Sequence, residues 1–497
     1  MHTRRDQVQA HLFTLSRVTA GLIRAEPDAA ETPMRRFTLG TVAGVILGVI
    51  ALGGMVAFGF VSPGITNSFK KEGTLVLEKE TGTRYIYLSG KLHPVLNRTS
   101  AMLMSNQQPQ AGGLLGGGRR GGGSAITTVS ANSLKGVPKG APVGILGAPD
   151  VLPDSKSLVT GPWSICSSTR KEADGTLTRT VTAHLGAAPG RDLTTVTDQE
   201  TLVVKGEDGE MYLTWLDRRL RIPGPSAFTA LGYADVASFD VKSSWLNALP
   251  SGSDLKGPDA PGRGTRGPVV GGAATLIGQV LRDPTGTSFL VLKDGLSPLT
   301  DTEAALVLSD PATKAAYPKR QVLPVEVGTA AISAAPRSAR GLTQTGFPAE
   351  PPKAIGTGSS GTRVPCYMVE PGKGGEKSKT RVAYRQSAPA EANQPAEGNG
   401  SPLTADRVVV APGSGMLAVE ESPLSEAAPR LYLITDLGVK YQLAGDQVAQ
   451  KLGYNAAQAV RLPSGVLDLV PTGPVLDVEA AKRTLTTAAA PAAPPQQ

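Results

Sequence analysis

The chain has 497 residues with a net charge of +8, 59 glycines, 40 prolines and only 4% aromatics. So much glycine and proline excludes a chain dominated by long uninterrupted elements, and points to many turns and a core of Val, Leu and Ala. No run of five or six basic residues and no nucleic-acid-binding motif accompanies the positive charge, which argues against a nucleic-acid partner.

In chain order, residues 4–25 come first. Val8, Leu12, Leu15 and Leu22 recur at helical spacing and line one face, so an amphipathic helix stopped by Pro27 is expected. A helix of this length is marginal in water on its own, which makes its apolar face a candidate docking surface for a membrane or a partner. Residues 37–61 hold no charge and no proline. At about 1.5 Å per residue such a run spans a hydrocarbon core of about 30 Å. A cleaved signal peptide is the alternative, but its apolar core is about 7–15 residues and lies nearer the N-terminus. Arg4, Arg5, Arg17, Arg24, Arg35 and Arg36 precede the run, which favours a cytoplasmic N-terminus with the bulk of the chain outside. Gly40, Gly44 and Gly48 form two overlapping G-x-x-x-G steps. Small residues at that spacing let a second helix approach closely in lipid, although glycine is also common in membrane helices generally.

Beyond the anchor, residues 106–124, 250–272, 387–401 and the Ala/Pro tail from Thr486 read as loops or linkers. Between them lies a repeated pattern. Seventeen residues separate Tyr233 of Leu231-Gly-Tyr233 from Pro250, and the same number separate Tyr454 of Leu452-Gly-Tyr454 from Pro471. Weaker copies run from Leu88 through His93-Pro94 and from Leu292 through Ser297-Pro298. Each copy reads strand, turn, strand, short helix, with Gly90 and Gly438 at turns and Gly453 capping a helix over 447–452. The fold expected is α+β: one transmembrane helix and an elongated extracytoplasmic region with a mainly-β central domain and four small α/β repeats. The boundaries are an N-terminal segment 1–36, the anchor 37–61, repeats at 73–105, 201–257, 273–330 and 428–482, central segments at 106–200 and 350–425, and a tail 484–497.

Cys166 and Cys366 both lie beyond the anchor, one in each central segment. An oxidising compartment favours their pairing, which would build one central domain from two distant pieces; two buried free thiols are the alternative. No catalytic, cofactor-binding or metal-ligating constellation stands out. Lys373 follows Gly372 without the Ser/Thr of a phosphate-binding loop, and Gly413-Ser-Gly415 lacks the spacing of a nucleophile elbow. His93 and His184 are the only histidines beyond the anchor; His93, beside Pro94, reads as a packing residue.

Several motifs together resemble the EccB family, core membrane components of the actinobacterial type VII (ESX) secretion system. They are Arg4-Arg-Asp-Gln-Val-Gln-Ala-His11, Glu78-Lys-Glu-Thr-Gly82, Gly90-Lys-Leu-His-Pro-Val-Leu-Asn97, Gly144-Ile-Leu-Gly-Ala-Pro149, Asp294-Gly-Leu296, the Leu-Gly-Tyr pairs and Pro412-Gly-Ser-Gly415. The resemblance implies a structural subunit of an inner-membrane export complex. Its partners would be an EccC-like motor ATPase, an EccD-like polytopic protein and an EccE-like subunit, with self-association and peptidoglycan contact through the repeats. A cell-wall-binding envelope protein acting alone and an ATP hydrolase with a non-standard site are the competing readings.

Overall fold

The computed structural model describes residues 4–24, 34–61, 69–105, 126–186, 192–340, 346, 348–358, 361–388, 402–421 and 429–485. Helix α1 runs Arg4–Arg24 and helix α2 Met34–Val61; α2 thus begins three residues before the uncharged run and includes Arg35 and Arg36. Residues 106–124, all but the first two of 387–401, and the whole tail from Thr486 lie outside the described residues.

Among the described residues, four sheets share one strand order: a three-stranded antiparallel meander whose first strand also pairs, in parallel, with a later short strand. In the first sheet the meander is Thr74–Glu78, Arg84–Leu88 and Lys91–Pro94, and Thr127–Val129 returns beside Thr74–Glu78. The second sheet uses Glu200–Lys205, Met211–Trp215 and Arg218–Ile222, with Phe239–Asp240 and Lys353–Ile355 both parallel to its first strand. The third has Val280–Arg282, Ser288–Leu292 and Gly295–Leu299, closed by Val325–Glu326. The fourth has Met416–Glu421, Leu431–Ile434 and Lys440–Leu443, closed by Val460–Pro463.

Each unit therefore carries one strand before and one after the pattern read from the sequence. The closing strands are two to four residues long, too short for side-chain alternation to show. Residues 250–272 also depart from expectation. Arg266–Val270 pairs with Ala273–Leu276 as a hairpin, and Leu255 and Ala260 are buried. Leu255 packs into the core under the second sheet, so the glycine and proline here shape an ordered turn-rich segment rather than a linker.

The Leu-Gly-Tyr motif has a local cause. Leu231 and Leu452 are the C-cap residues of the helices Pro225–Ala230 and Asp446–Lys451, and Gly232 and Gly453 follow at φ +81° and +87°. The Tyr233 amide donates to the Phe228 carbonyl and the Gly232 amide to that of Thr229; Tyr454 and Gly453 bond Ala449 and Gln450 in the same way. These are Schellman closures, in which glycine adopts the left-handed conformation at little cost. Each turn aims a buried tyrosine inward, and the hydroxyls of Tyr233 and Tyr454 donate to the carbonyls of Pro352 and Pro153 at 2.8 and 2.7 Å. A Cβ on Gly232 would meet no atom within 4 Å, so Gly232→Ala isolates the backbone term. It should cost about 1–2 kcal/mol, read as a lowered thermal midpoint with an unchanged circular dichroism spectrum.

The central sheet is six-stranded. From edge to edge it runs Arg407–Val409, Leu177–Leu185, Trp163–Lys171, Val364–Glu370, Lys379–Arg385 and Leu193–Thr195. Cys166 lies directly opposite Cys366 in the register of the two middle strands, and the pair is a disulfide spanning 200 residues of sequence. Odd-numbered residues of these strands, Trp163, Ile165, Tyr367 and Val369, face a large core shared with the second and fourth sheets; Cys166, Cys366 and Met368 form a smaller cluster. The first and fourth sheets share a second core through Leu103, Leu433 and Leu452. Leu306, from the helix Asp301–Ser309 of the third sheet's unit, enters the core of the second.

Candidate membrane and assembly interface

Helix α2 has 28 residues, about 42 Å at 1.5 Å per residue. Its stretch Phe37–Met55 is long and apolar enough to cross a membrane, and none of it is buried against the rest of the chain. Leu39, Val45, Val49 and Leu52 are each more than 60% exposed. An apolar cylinder of this size needs lipid or another helix around it. Gly40, Gly44 and Gly48 fall on one side of it, and a Cβ at any of them would meet nothing within 4 Å. The groove they form is therefore open in this chain.

Helix α1 presents Val8, Leu12, Leu15 and Leu22 on one stripe, all more than half exposed. Thr14 and Thr19 turn their hydroxyls back onto the carbonyls of Ala10 and Leu15, which leaves those side chains little capacity for outside contacts. Phe13 lies away from the stripe, with the Arg17 guanidinium 5.9 Å from its ring centre.

His93 has the packing role expected of it. Its ring occupies the space where a Cβ on Gly140 would fall, and its Nδ1 lies 2.8 Å from the Ala141 carbonyl oxygen. In the third sheet the equivalent register position is Ser297. Among the described residues no group of three or more His, Cys, Asp or Glu side chains could hold a metal ion.

Sequence reasoning passed over three residues: Trp245 and Lys242, which hold the second sheet to the central one, and Lys440, which acts within the fourth sheet's unit. Trp245, on the helix Ser243–Ala248 beside the second sheet, is fully buried and donates its indole N–H to the Ile165 carbonyl at 3.0 Å. Lys242, just before that helix, forms an ion pair with Asp406, whose other oxygen accepts from the Val181 amide. Lys440 of the fourth sheet is almost wholly buried; its Nζ donates to the Leu467 carbonyl and sits 3.7 Å from Asp468, and burial pushes the pKa of its ammonium down. Lys242 and Asp406 stand 164 residues apart, and neither has a neighbour in sequence that would mark it.

A family model described as the type VII secretion system ESX-1 transport TM domain B matches residues 1–490. The ESX-3 secretion system ATPase EccB3 of Mycobacterium tuberculosis is 27% identical over 527 residues, covering 99% of this chain and 91% of that protein. The ESX-1 secretion system ATPase EccB1 of Mycolicibacterium smegmatis is 25% identical over 496 residues, with 96% and 94% coverage. Among solved structures, a chain of an intact ESX-5 inner membrane complex superposes with a TM-score of 0.61 at 22% identity, covering 100% of this chain and 98% of that one. The EccB3 dimer from the ESX-3 core complex gives 0.61 at 21% identity, covering 82% of this chain and 100% of that one; both share the fold. The chain therefore belongs to the EccB family of type VII secretion systems.

Proposed function

We propose that this chain is a structural subunit of a type VII secretion membrane complex, anchored by α2 and docked through α1. The observation that carries this is the uncovered apolar span Phe37–Met55 in a chain whose family is defined by a transport membrane domain. In this reading the N-terminus is cytoplasmic, since six arginines precede or open α2, and the disulfide-linked bulk is periplasmic, where such bonds persist. The four like-ordered sheets act as four repeat domains about the central sheet. The partners are EccC-like, EccD-like and EccE-like subunits, with further copies of the chain; solved relatives come from an inner membrane complex and a dimer. Gly40, Gly44 and Gly48 pack against a neighbouring helix, and the repeats touch peptidoglycan. Val8, Leu12, Leu15 and Leu22 contact the cytoplasmic partners. Replacing Leu12 and Leu15 with glutamate should leave the protein in the membrane fraction yet abolish both secretion and recovery of partner subunits. Unchanged secretion would refute docking through α1.

A second reading, ATP hydrolysis, is favoured by the names that relatives carry. Against it stands a sequence without a G-x-x-x-x-G-K-[ST] loop, whose backbone and lysine cradle phosphates in many ATPases. Phosphate release by the purified full chain, compared with a motor-free background, decides between them: turnover above background supports the hydrolase.

A further inference from the structure

The four units share a further contact. The amides of Leu92, Arg219, Leu296 and Lys440, each on the last strand of its meander, donate to the carbonyls of Pro138, Pro250, Pro336 and Pro471. Beyond these prolines the chain runs onto a neighbouring unit, in two matching pairs. Tyr454 of the fourth unit bonds Pro153 in the segment leaving the first, just as Tyr233 of the second bonds Pro352 in the segment leaving the third. The chain therefore holds two equivalent seams, first to fourth and second to third, and each is a control for the other.

The first-to-fourth seam carries an exposed apolar stripe. Residues 140–149 and 469–476 contain no charged side chain. They lie side by side, since a Cβ on Gly147 would sit 3.7 Å from Pro474 Cδ. A Cβ on Gly144 would sit 3.1 Å from that of Leu96, and the Leu485 amide donates to the Pro142 carbonyl at 3.0 Å. Along this line Leu146 is 76% exposed, and Leu96, Val475 and Leu485 are 44, 47 and 37% exposed. The other seam is polar at the matching places. Leu476 and Leu255 are equivalent, their amides donating to Gln442 and Arg221, but the residue before Leu255 is Asp254, paired with Arg221 at 3.5 Å. Two residues after the third-strand proline, Thr300 stands in place of Leu96. A seam of this kind thus forms without apolar side chains at these surface positions, and their contiguous exposure marks a contact surface.

We propose that this stripe is the apolar centre of a contact with a second copy of the chain, the same stripe facing itself across a two-fold axis. The inference rests on the reading of the chain as a subunit that assembles with further copies of itself. An uncharged surface needs an uncharged surface to cover it, and a two-fold contact supplies one from the same sequence. The EccB3 chain that shares this fold was solved as a dimer. A stable contact buries about 800 Å² per partner, more than four side chains offer, so the stripe is its centre and polar neighbours form the rim.

The test is cross-linking of the full-length chain in its own membranes with a short bismaleimide. Cys166 and Cys366 are tied to each other, so Leu146→Cys adds the single free thiol. It should give covalent dimers of the chain with itself, about tenfold more than Val269→Cys, whose site is 63% exposed on the third unit's hairpin. Adding Val475→Glu should cut the Leu146→Cys yield about tenfold, because a two-fold contact buries the new charge twice. If that double variant does not fold, the comparison of Leu146→Cys with Val269→Cys carries the test alone. Equal yields at the two positions, or a yield untouched by Val475→Glu in a folded chain, overturn the proposal. So does a product with a different protein, or a thiol that gives no protein product and is reached only by a lipid-phase maleimide, which puts the membrane there. Failure of the underlying reading looks different: the chain would be recovered from membranes with no other subunit.

Discussion

Replacing Cys166 and Cys366 together with alanine is expected to remove up to about 5 kcal/mol of stability from the central sheet. The two residues stand 200 apart in sequence, so the bond removes a large loop-closure entropy from the unfolded chain. It also joins two middle strands in register, each contributed by a distant segment. Without it, the order of the sheet rests on hydrogen bonds and on the packing of Trp163, Ile165, Tyr367 and Val369. Urea unfolding followed by tryptophan fluorescence reads this directly, because Trp163 and Trp245 are both fully buried at this sheet. The variant's midpoint should fall well below that of the oxidised wild type and match that of wild type unfolded with reductant present. An unchanged midpoint would mean that the bond adds nothing beyond the register.

Trp245→Ala should be nearly as damaging, at about 3–5 kcal/mol. The indole fills the core between the central sheet and the helix Ser243–Ala248, and its N–H satisfies the Ile165 carbonyl. Trp245→Phe separates the two contributions. It keeps most of the apolar volume and loses the hydrogen bond, for which about 1 kcal/mol is expected. Trp215, whose indole bonds the Asp198 carbonyl from a partly exposed position, is the control, and its alanine variant should cost much less. Equal losses at Trp245 and Trp215 would show that the junction between the second and central sheets is not a shared core.

What could be read from the sequence was local or singular. The uncharged run of α2 is visible because lipid demands contiguity. The Leu-Gly-Tyr closures are visible because a Schellman turn is built within six residues and only glycine fits its left-handed position well. Cys166 and Cys366 were legible as a pair because the chain holds no other cysteine. The closing parallel strands escaped notice for the opposite reason: Phe239–Asp240 and Val325–Glu326 are two residues each and acquire meaning only beside a strand some 35 to 45 residues earlier. Residues 250–272 misled because glycine and proline mark turns in ordered and extended chain alike. The Lys242–Asp406 pair is tertiary: it joins residues that the sequence keeps 164 positions apart.

The most direct measurement of the central claim is the composition and mass of the tagged full-length chain extracted from its own membranes in mild detergent. A structural subunit should emerge in a large particle with other membrane proteins and more than one copy of itself. Recovery of a single chain, alone and monomeric under conditions that keep the membrane complex intact, would contradict the account.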